Sequence, residues 1–247
     1  MSTTTPKFAM ILAAGLGLRM RPITDNMPKP LITVDDRTLL DYSLDHLVQA
    51  GVETAIINTH HLADQIEQHV KRRKDIEIVL SPETDAPLET GGGVKLALKH
   101  LGDEPFYVIN GDALWLDGTR PALTRLAGRW NLDEMDALLL LHSTVEAYGY
   151  GGRGDFLADP MGQLTRRPER EVSPYLFAGV QILTPALFDN TPDGKFSLNI
   201  IYDKAIEAAR LYGLVHDGEW FHIGTPDGLD QAEDYFRERY PGNRRRP

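Results

Sequence analysis

Chemistry can first be read from residue type and spacing between positions 12 and 30, in the stretch Leu12-Ala13-Ala14-Gly15-Leu16-Gly17-Leu18-Arg19-Met20-Arg21-Pro22 and the Pro28-Lys29-Pro30 that follows. Residues 8–12 are an unbroken apolar run, the pattern of a strand buried on both faces. Small residues and glycine at the carboxyl end of such a strand let backbone N–H groups approach phosphate oxygens, and nearby cations neutralise them. A triphosphate fits, with Ala13, Ala14, Gly15 and Gly17 as its cradle. The loop lacks both the Gly-Lys-Ser/Thr of a Walker A sequence and the third glycine of a dinucleotide fingerprint. Lys29 stands between two prolines that stiffen the backbone and hold its stem extended, as a fixed point charge.

Asp112 closes the corner Asn110-Gly111-Asp112 after the apolar run 106–110, at the strand end where ligands of open α/β sheets bind. A carboxylate there can hold Mg²⁺ while nucleotide phosphates complete the octahedron, or it can serve only the turn. In Leu88-Glu89-Thr90-Gly91-Gly92-Gly93 the glycines open a helix. Their missing side chains would let a flat base lie against the backbone, or would make a hinge. Gly149, Gly151, Gly152 and Gly154 crowd another loop, which by composition alone is a turn.

Taken in order, these blocks and Trp220-Phe221-His222-Ile223-Gly224-Thr225-Pro226 resemble the signature of the sugar-1-phosphate nucleotidyltransferase family, from Met10 to about Asp230. The resemblance implies a GT-A-like fold and in-line attack by a sugar-1-phosphate oxygen on the α-phosphorus of a nucleoside triphosphate. It makes Arg19 and Lys29 the catalytic cations, Arg19 holding the leaving pyrophosphate and Lys29 meeting the α-phosphate. It adds Ser81, Glu89, Thr90, Gly92 and Gly93 to the nucleotide site, and puts Gly149, Gly151, Arg167 and Gly179 on the sugar phosphate. Asp112 and position 222 would hold the metal, Mg²⁺ in most relatives. The chain departs from the family pattern twice. Arg166-Arg167-Pro168 stands where many relatives carry Glu-Lys-Pro, and His222 stands where most carry aspartate. Imidazole is a softer ligand than carboxylate, so the preference should move toward Mn²⁺.

Within the family, the glycine block and short length are most similar to the bacterial N-acetylmuramate-1-phosphate uridylyltransferases, with mannose-1-phosphate guanylyltransferases next. A muramic sugar brings an extra carboxylate, for which Arg153 or Arg166 would be the partner. Two rivals differ in class. A glycosyltransferase would carry Asp-x-Asp, whereas residues 110–114 supply one acid. A regulatory homologue without turnover is not expected to keep Arg19, Lys29 and Asp112 together.

The elements that must position these groups follow from periodicity. Helix-like runs at 38–50, 62–71 and from 93 alternate with apolar strand-like runs at 54–58, 76–80 and 106–110. Such alternation predicts an α/β, Rossmann-like, mixed but mostly parallel sheet flanked by helices. After a strand at 136–142, short runs at 163–166 and 175–183 read as antiparallel excursions in a sugar-binding insertion around 143–183, lying over the sheet edge. Helices near 200–210 and 227–240 close the chain.

The 247 residues, 42% hydrophobic and without an internal linker, read as one domain. A formal charge of −10 argues against a nucleic-acid surface, and the arginines at 244–246 read as a solvated end. No cysteine is available as a metal thiolate. No run suits a signal peptide or a membrane span, which leads to an expectation of a cytoplasmic monomer or homodimer.

Overall fold

A computed structural model describes residues 5–240, so the tail arginines 244–246 and residues 1–4 lie outside the described residues. Strand β1 (Phe8–Leu12) is followed by the phosphate loop, a short hairpin of β2 (Thr33–Val34) and β3 (Arg37–Thr38), and helix α1 (Leu39–Gln49). Thr38 starts α1 because its Oγ1 accepts the Asp41 N–H at 3.0 Å. Gly51, at φ +81°, stops it. Then come β4 (Thr54–Thr59), α2 (Ala63–Val70), β5 (Glu77–Pro82), α3 (Glu89–Leu101), β6 (Phe106–Asn110), β7 (Ala113–Leu116), α4 (Ala122–Arg129) and β8 (Ala137–Ser143). The chain ends with β9 (Phe156–Ala158), β10 (Leu164–Arg166), β11 (Tyr175–Leu183), α5 (Asn199–Glu207), β12 (Leu211–Val215), β13 (Glu219–His222) and α6 (Pro226–Arg239).

The main sheet runs β5-β4-β1-β6-β11-β8-β12, with β9 and β10 extending it beside the start of β11. β5, β4, β1 and β6 are mutually parallel, and β11 runs against both β6 and β8. β1 shows why the sheet is covered on both faces. Its Ala9 and Ile11 pack with Leu40, Leu44 and Leu47 of α1, whereas Met10 packs with Val94, Ala97 and Leu101 of α3. A third cluster joins Phe221 and Leu114 to Ala232 and Phe236 of α6.

Segment 175–183 is antiparallel as its sequence suggests, but it lies inside the sheet, not over its edge. Its Leu176, Ala178, Val180 and Ile182 are fully buried, and each large apolar side chain so placed contributes about 1.5–3 kcal/mol relative to exposure. The pairing register shifts between Phe177 and Gln181, where Gly179 adopts φ +79°. Helix α3 begins at Glu89, four positions before the glycine expected to open it. The ribbon of β7 and β13 carries no sequence signal strong enough to anticipate, yet it sets His222 opposite Ala113.

His216, buried after β12, fastens this ribbon to the sheet. Its backbone N–H donates to the Leu141 carbonyl at 2.7 Å and its Nε2 bonds the Leu116 carbonyl at 3.0 Å. Burial pushes the ring below the ordinary histidine value, opposed by the Leu116 bond and assisted by His142. The unfolded ring takes a proton first, so stability is lost as pH falls below about 6.5. Replacing His216 by Gln should flatten that part of the slope, seen as a smaller loss of urea midpoint between pH 7.5 and 5.5 than in the native chain.

Candidate active site

β1 has β4 on one side and β6 on the other, so the connections diverge at its carboxyl end, where open α/β sheets form a crevice. A cleft of about 520 Å³ lies there. It is lined by Ala13, Ala14, Gly15, Gly17 and Arg19 from the loop, Lys29 and Pro30, Asn58, Glu83, Pro87, Glu89, Thr90, the corner 110–112 and Gly224. The apolar strand thus delivers the loop, and the parallel neighbours bring their own carboxyl ends beside it.

The loop is held by Thr24. Its Oγ1 donates to the Gly17 carbonyl at 2.8 Å, and a Cβ on Gly17, at φ +63°, would sit 2.8 Å from the Thr24 methyl. Among the described residues the N–H groups of Ala14, Gly15 and Gly17 meet no protein acceptor. The Ala13 N–H is spent on Asn58 Oδ1 at 2.7 Å, so Ala13 lines the cleft without offering it a donor. Arg19 is exposed at the mouth and pairs with no described residue. Lys29 opens a 3-10 turn after Pro28, and its Nζ reaches Asp112 Oδ2 at 2.5 Å. Gly111 makes that reach possible. Its N–H donates to the Leu12 carbonyl at 2.9 Å, and an added Cβ would fall 2.4 Å from the same oxygen.

Burial works against ionised Asp112, but the Lys29 charge and hydrogen bond and the His222 ring outweigh it and hold the carboxyl below the usual carboxylate range. Burial, opposed by Asp112 and assisted by Lys29 and Arg19, pushes the His222 ring below its ordinary value. Neither ring nitrogen bonds a described residue, and the ring folds over Gly224, where a Cβ would meet Nε2. Among the described residues no three His, Asp or Glu side chains cluster to hold an ion.

Several residues singled out in the sequence stand elsewhere. Ser81 is buried beside Asn58 and does not line the cleft; Glu83, two residues on along the chain, does. Gly91, Gly92 and Gly93 offer no open shelf for a base, because protein fills the space of each missing side chain. Their Cβ positions fall 2.4 Å from the Phe196 ring, 2.1 Å from the Gly194 carbonyl, and 2.7 Å from both Asn58 Nδ2 and Glu83 Oε1. From that block only Glu89 and Thr90 line the cleft, and the Thr90 Oγ1 accepts the Leu198 N–H at 2.9 Å. Arg167 gives Nε to the Gly154 carbonyl and Nη1 to the carbonyls of Pro168, Glu169 and Glu171, clasping its own loop. Arg166 is bound to Asp203 and lies over Phe156. Gly149, at φ +70°, donates to Gln231 Oε1, and Gly151 is exposed. Their loop hangs beside His222 because Tyr148 and His222 share a backbone bond of 2.9 Å. Gly179 faces Asn110 and Ala113, behind the corner that carries Asp112.

Sequence reasoning missed Asn58, Glu83 and Gly111. Asn58 follows directly on the apolar run 55–57, and an amide at the carboxyl end of a strand expected to be buried is the available signal.

Arg19, Lys29, the open N–H groups and the Asp112 carboxylate thus share the switch-point cleft. Residues 8–239 match the family described as Nucleotidyl transferase, to which the chain belongs. It is 40% identical over 237 residues to the N-acetylmuramate alpha-1-phosphate uridylyltransferase of Caulobacter vibrioides, covering 94% of this chain and 98% of the relative. It is 29% identical to the probable mannose-1-phosphate guanylyltransferase 2 of Arabidopsis thaliana, covering 94% and 67%. The fold is that of the UDP-glucose pyrophosphorylase from Acinetobacter baumannii, with a TM-score of 0.76 at 21% identity over 96% of this chain and 95% of that one. No helix among the described residues is long and apolar enough to cross a membrane.

Gly111→Ala tests the placement of Asp112. The methyl must push the corner off β1, so turnover should fall about 10-fold or more, ~1.4 kcal/mol in barrier, while the circular-dichroism spectrum is kept. Native turnover would show that the corner does not position the site.

Proposed function

We propose that this enzyme joins UTP to N-acetylmuramic acid 1-phosphate, an oxygen of the sugar phosphate displacing pyrophosphate at the α-phosphorus. The observation that carries the reading is the convergence of cations and donors on the end of β1: the Arg19 guanidinium and the N–H groups of Ala14, Gly15 and Gly17, none with a partner among the described residues, and the Lys29 ammonium held by Asp112. Both reactants are anions, so the barrier is largely repulsion and orientation. Lys29 is a point charge for the α-phosphate. As the bond from the α-phosphorus to the bridging oxygen breaks, charge gathers on the leaving pyrophosphate, which the Arg19 fork is suited to take.

The substrate pair rests on likeness to the uridylyltransferase of 40% identity. One local feature supports it. Arg153 is exposed and unpaired among the described residues, which leaves it for the lactyl carboxylate now that Arg166 is bound to Asp203. On this reading segment 143–183 of a one-domain chain serves the sugar, and the enzyme works in the cytoplasm. Mannose-1-phosphate with GTP is the runner-up.

Asp112 and His222 fit a divalent ion, Mg²⁺ or Mn²⁺: one is an ionised carboxylate, the other an imidazole with both nitrogens unspent. Such an ion would neutralise phosphate charge. The two residues would hold it with phosphate oxygens filling the remaining positions.

Four triphosphates assayed against several sugar 1-phosphates, read as pyrophosphate released, should give UTP with the muramic sugar as the fastest pair. Faster turnover of GTP with mannose-1-phosphate would install the runner-up. In the best pair Arg19→Ala and Lys29→Ala should each lose about 100-fold or more in kcat. Native rates in both would remove the phosphate-loop assignment.

His222→Asp should raise the ratio of Mg²⁺-supported to Mn²⁺-supported turnover several-fold, since carboxylate is the harder ligand. An unchanged ratio, with His222→Ala also unaffected, would take residue 222 out of the metal site.

A further inference from the structure

We infer that Asn58 is a positioning residue: its side-chain amide, oriented by the buried Glu83 carboxylate, locks the phosphate loop and segment 83–88 into one unit that receives the triphosphate. This rests on the nucleotide reading of the cleft. Asn58 and Glu83 are each 3% exposed. Asn58 Oδ1 accepts the Ala13 N–H at 2.7 Å, and its Nδ2 donates to Glu83 Oε1 at 2.6 Å. Glu83 Oε2 in turn accepts the Leu88 N–H at 2.7 Å.

Only one orientation of the amide satisfies this relay. Turned over, it would set N–H against N–H at Ala13 and oxygen against carboxylate at Glu83. A buried carboxylate is costly unless its oxygens are hydrogen-bonded, and no described cation pairs with Glu83, so the cost of misorientation falls directly on Asn58. The consequence lies one residue on. With the Ala13 N–H drawn inward, the N–H groups of Ala14 and Gly15 are left for phosphate. Gly93 guards the bond, since a Cβ there would stand 2.7 Å from both Asn58 Nδ2 and Glu83 Oε1. Asn58 acts through the loop it holds, by way of the Ala13 N–H.

The relay predicts a reciprocal rescue. Asn58→Asp sets carboxylate against carboxylate, and Glu83→Gln leaves one of its two bonds mismatched. Each alone should raise the KM for the triphosphate about tenfold or more with a smaller change in kcat. The double variant N58D/E83Q restores alternating donors and acceptors at unchanged net charge: the carboxylate at 58 accepts from Ala13 and from the new amide, whose oxygen takes the Leu88 N–H. Its KM should return to within about threefold of the native value. A double variant no better than the worse single would overturn the inference and assign the carboxylate directly to the nucleotide. Gly93→Ala, which wedges the relay from outside, should raise the same KM.

Amide hydrogen exchange at Ala13 supplies a readout independent of turnover. It should accelerate in Asn58→Ala, and unchanged protection there would sink the relay. A chain with a protected Ala13 amide that turned over no triphosphate would overturn the proposed function instead, leaving the relay standing.

Discussion

The ion pair between Lys29 and Asp112 is the constraint on which the rest of the cleft depends. It joins positions 83 residues apart and pins the 3-10 turn after Pro28 to the end of β6. An ammonium held at 2.5 Å from a carboxylate in a partly buried site is fixed in place by the fold itself. The same pair keeps Asp112 ionised. Everything that brings the two together is backbone: the parallel register of β1 and β6, the Leu12 carbonyl under Gly111, and the turn between two prolines.

A second principle of construction is that space is removed wherever the chain must approach itself. Gly111 sits on a carbonyl, Gly93 sits on a hydrogen bond, and Gly224 lies beneath an imidazole. None of these positions is explained by the substrate, and each is explained by a neighbour. The glycine block that looks made for a ligand is in fact the seam where α3 closes against the 194–198 segment and against the relay from Asn58.

Much of this was legible in the residues alone. The run 8–12, the alternation of helix and strand up to 110, and the order of the motifs gave the sheet and the cleft at its switch point. The motifs that carry the family resemblance single out Lys29 and Asp112, and the structure brings the two into contact. What escaped was what lies across from a residue. Spacing reports which face a side chain takes and says nothing of its partner, so Arg167 reads as a free cation until the carbonyls of Pro168, Glu169 and Glu171 surround it. Ser81 is the last residue but one of β5 and Glu83 lies two residues on, just past the strand, both of them buried, and sequence alone could not say which of them reaches the opening. The central place of β11 was likewise hidden, because order along the chain does not specify order across a sheet.

The bond from the Gly91 and Gly92 N–H groups to the Phe196 carbonyl has an electrical consequence. The start of a helix normally carries about half a positive charge and attracts anions. In α3 that pole is answered from within the protein, and the carboxylates of Glu83 and Glu89 stand close by. The cleft is therefore graded in charge: Arg19 stands unpaired among the described residues where β1 ends, with Lys29 offset by Asp112, while Glu83 has no described cation where α3 begins and Glu89 is paired with Lys195. An anionic group is thus met by the unpaired Arg19 at the β1 end and by the uncompensated Glu83 carboxylate at the α3 end, so the two ends are not equivalent.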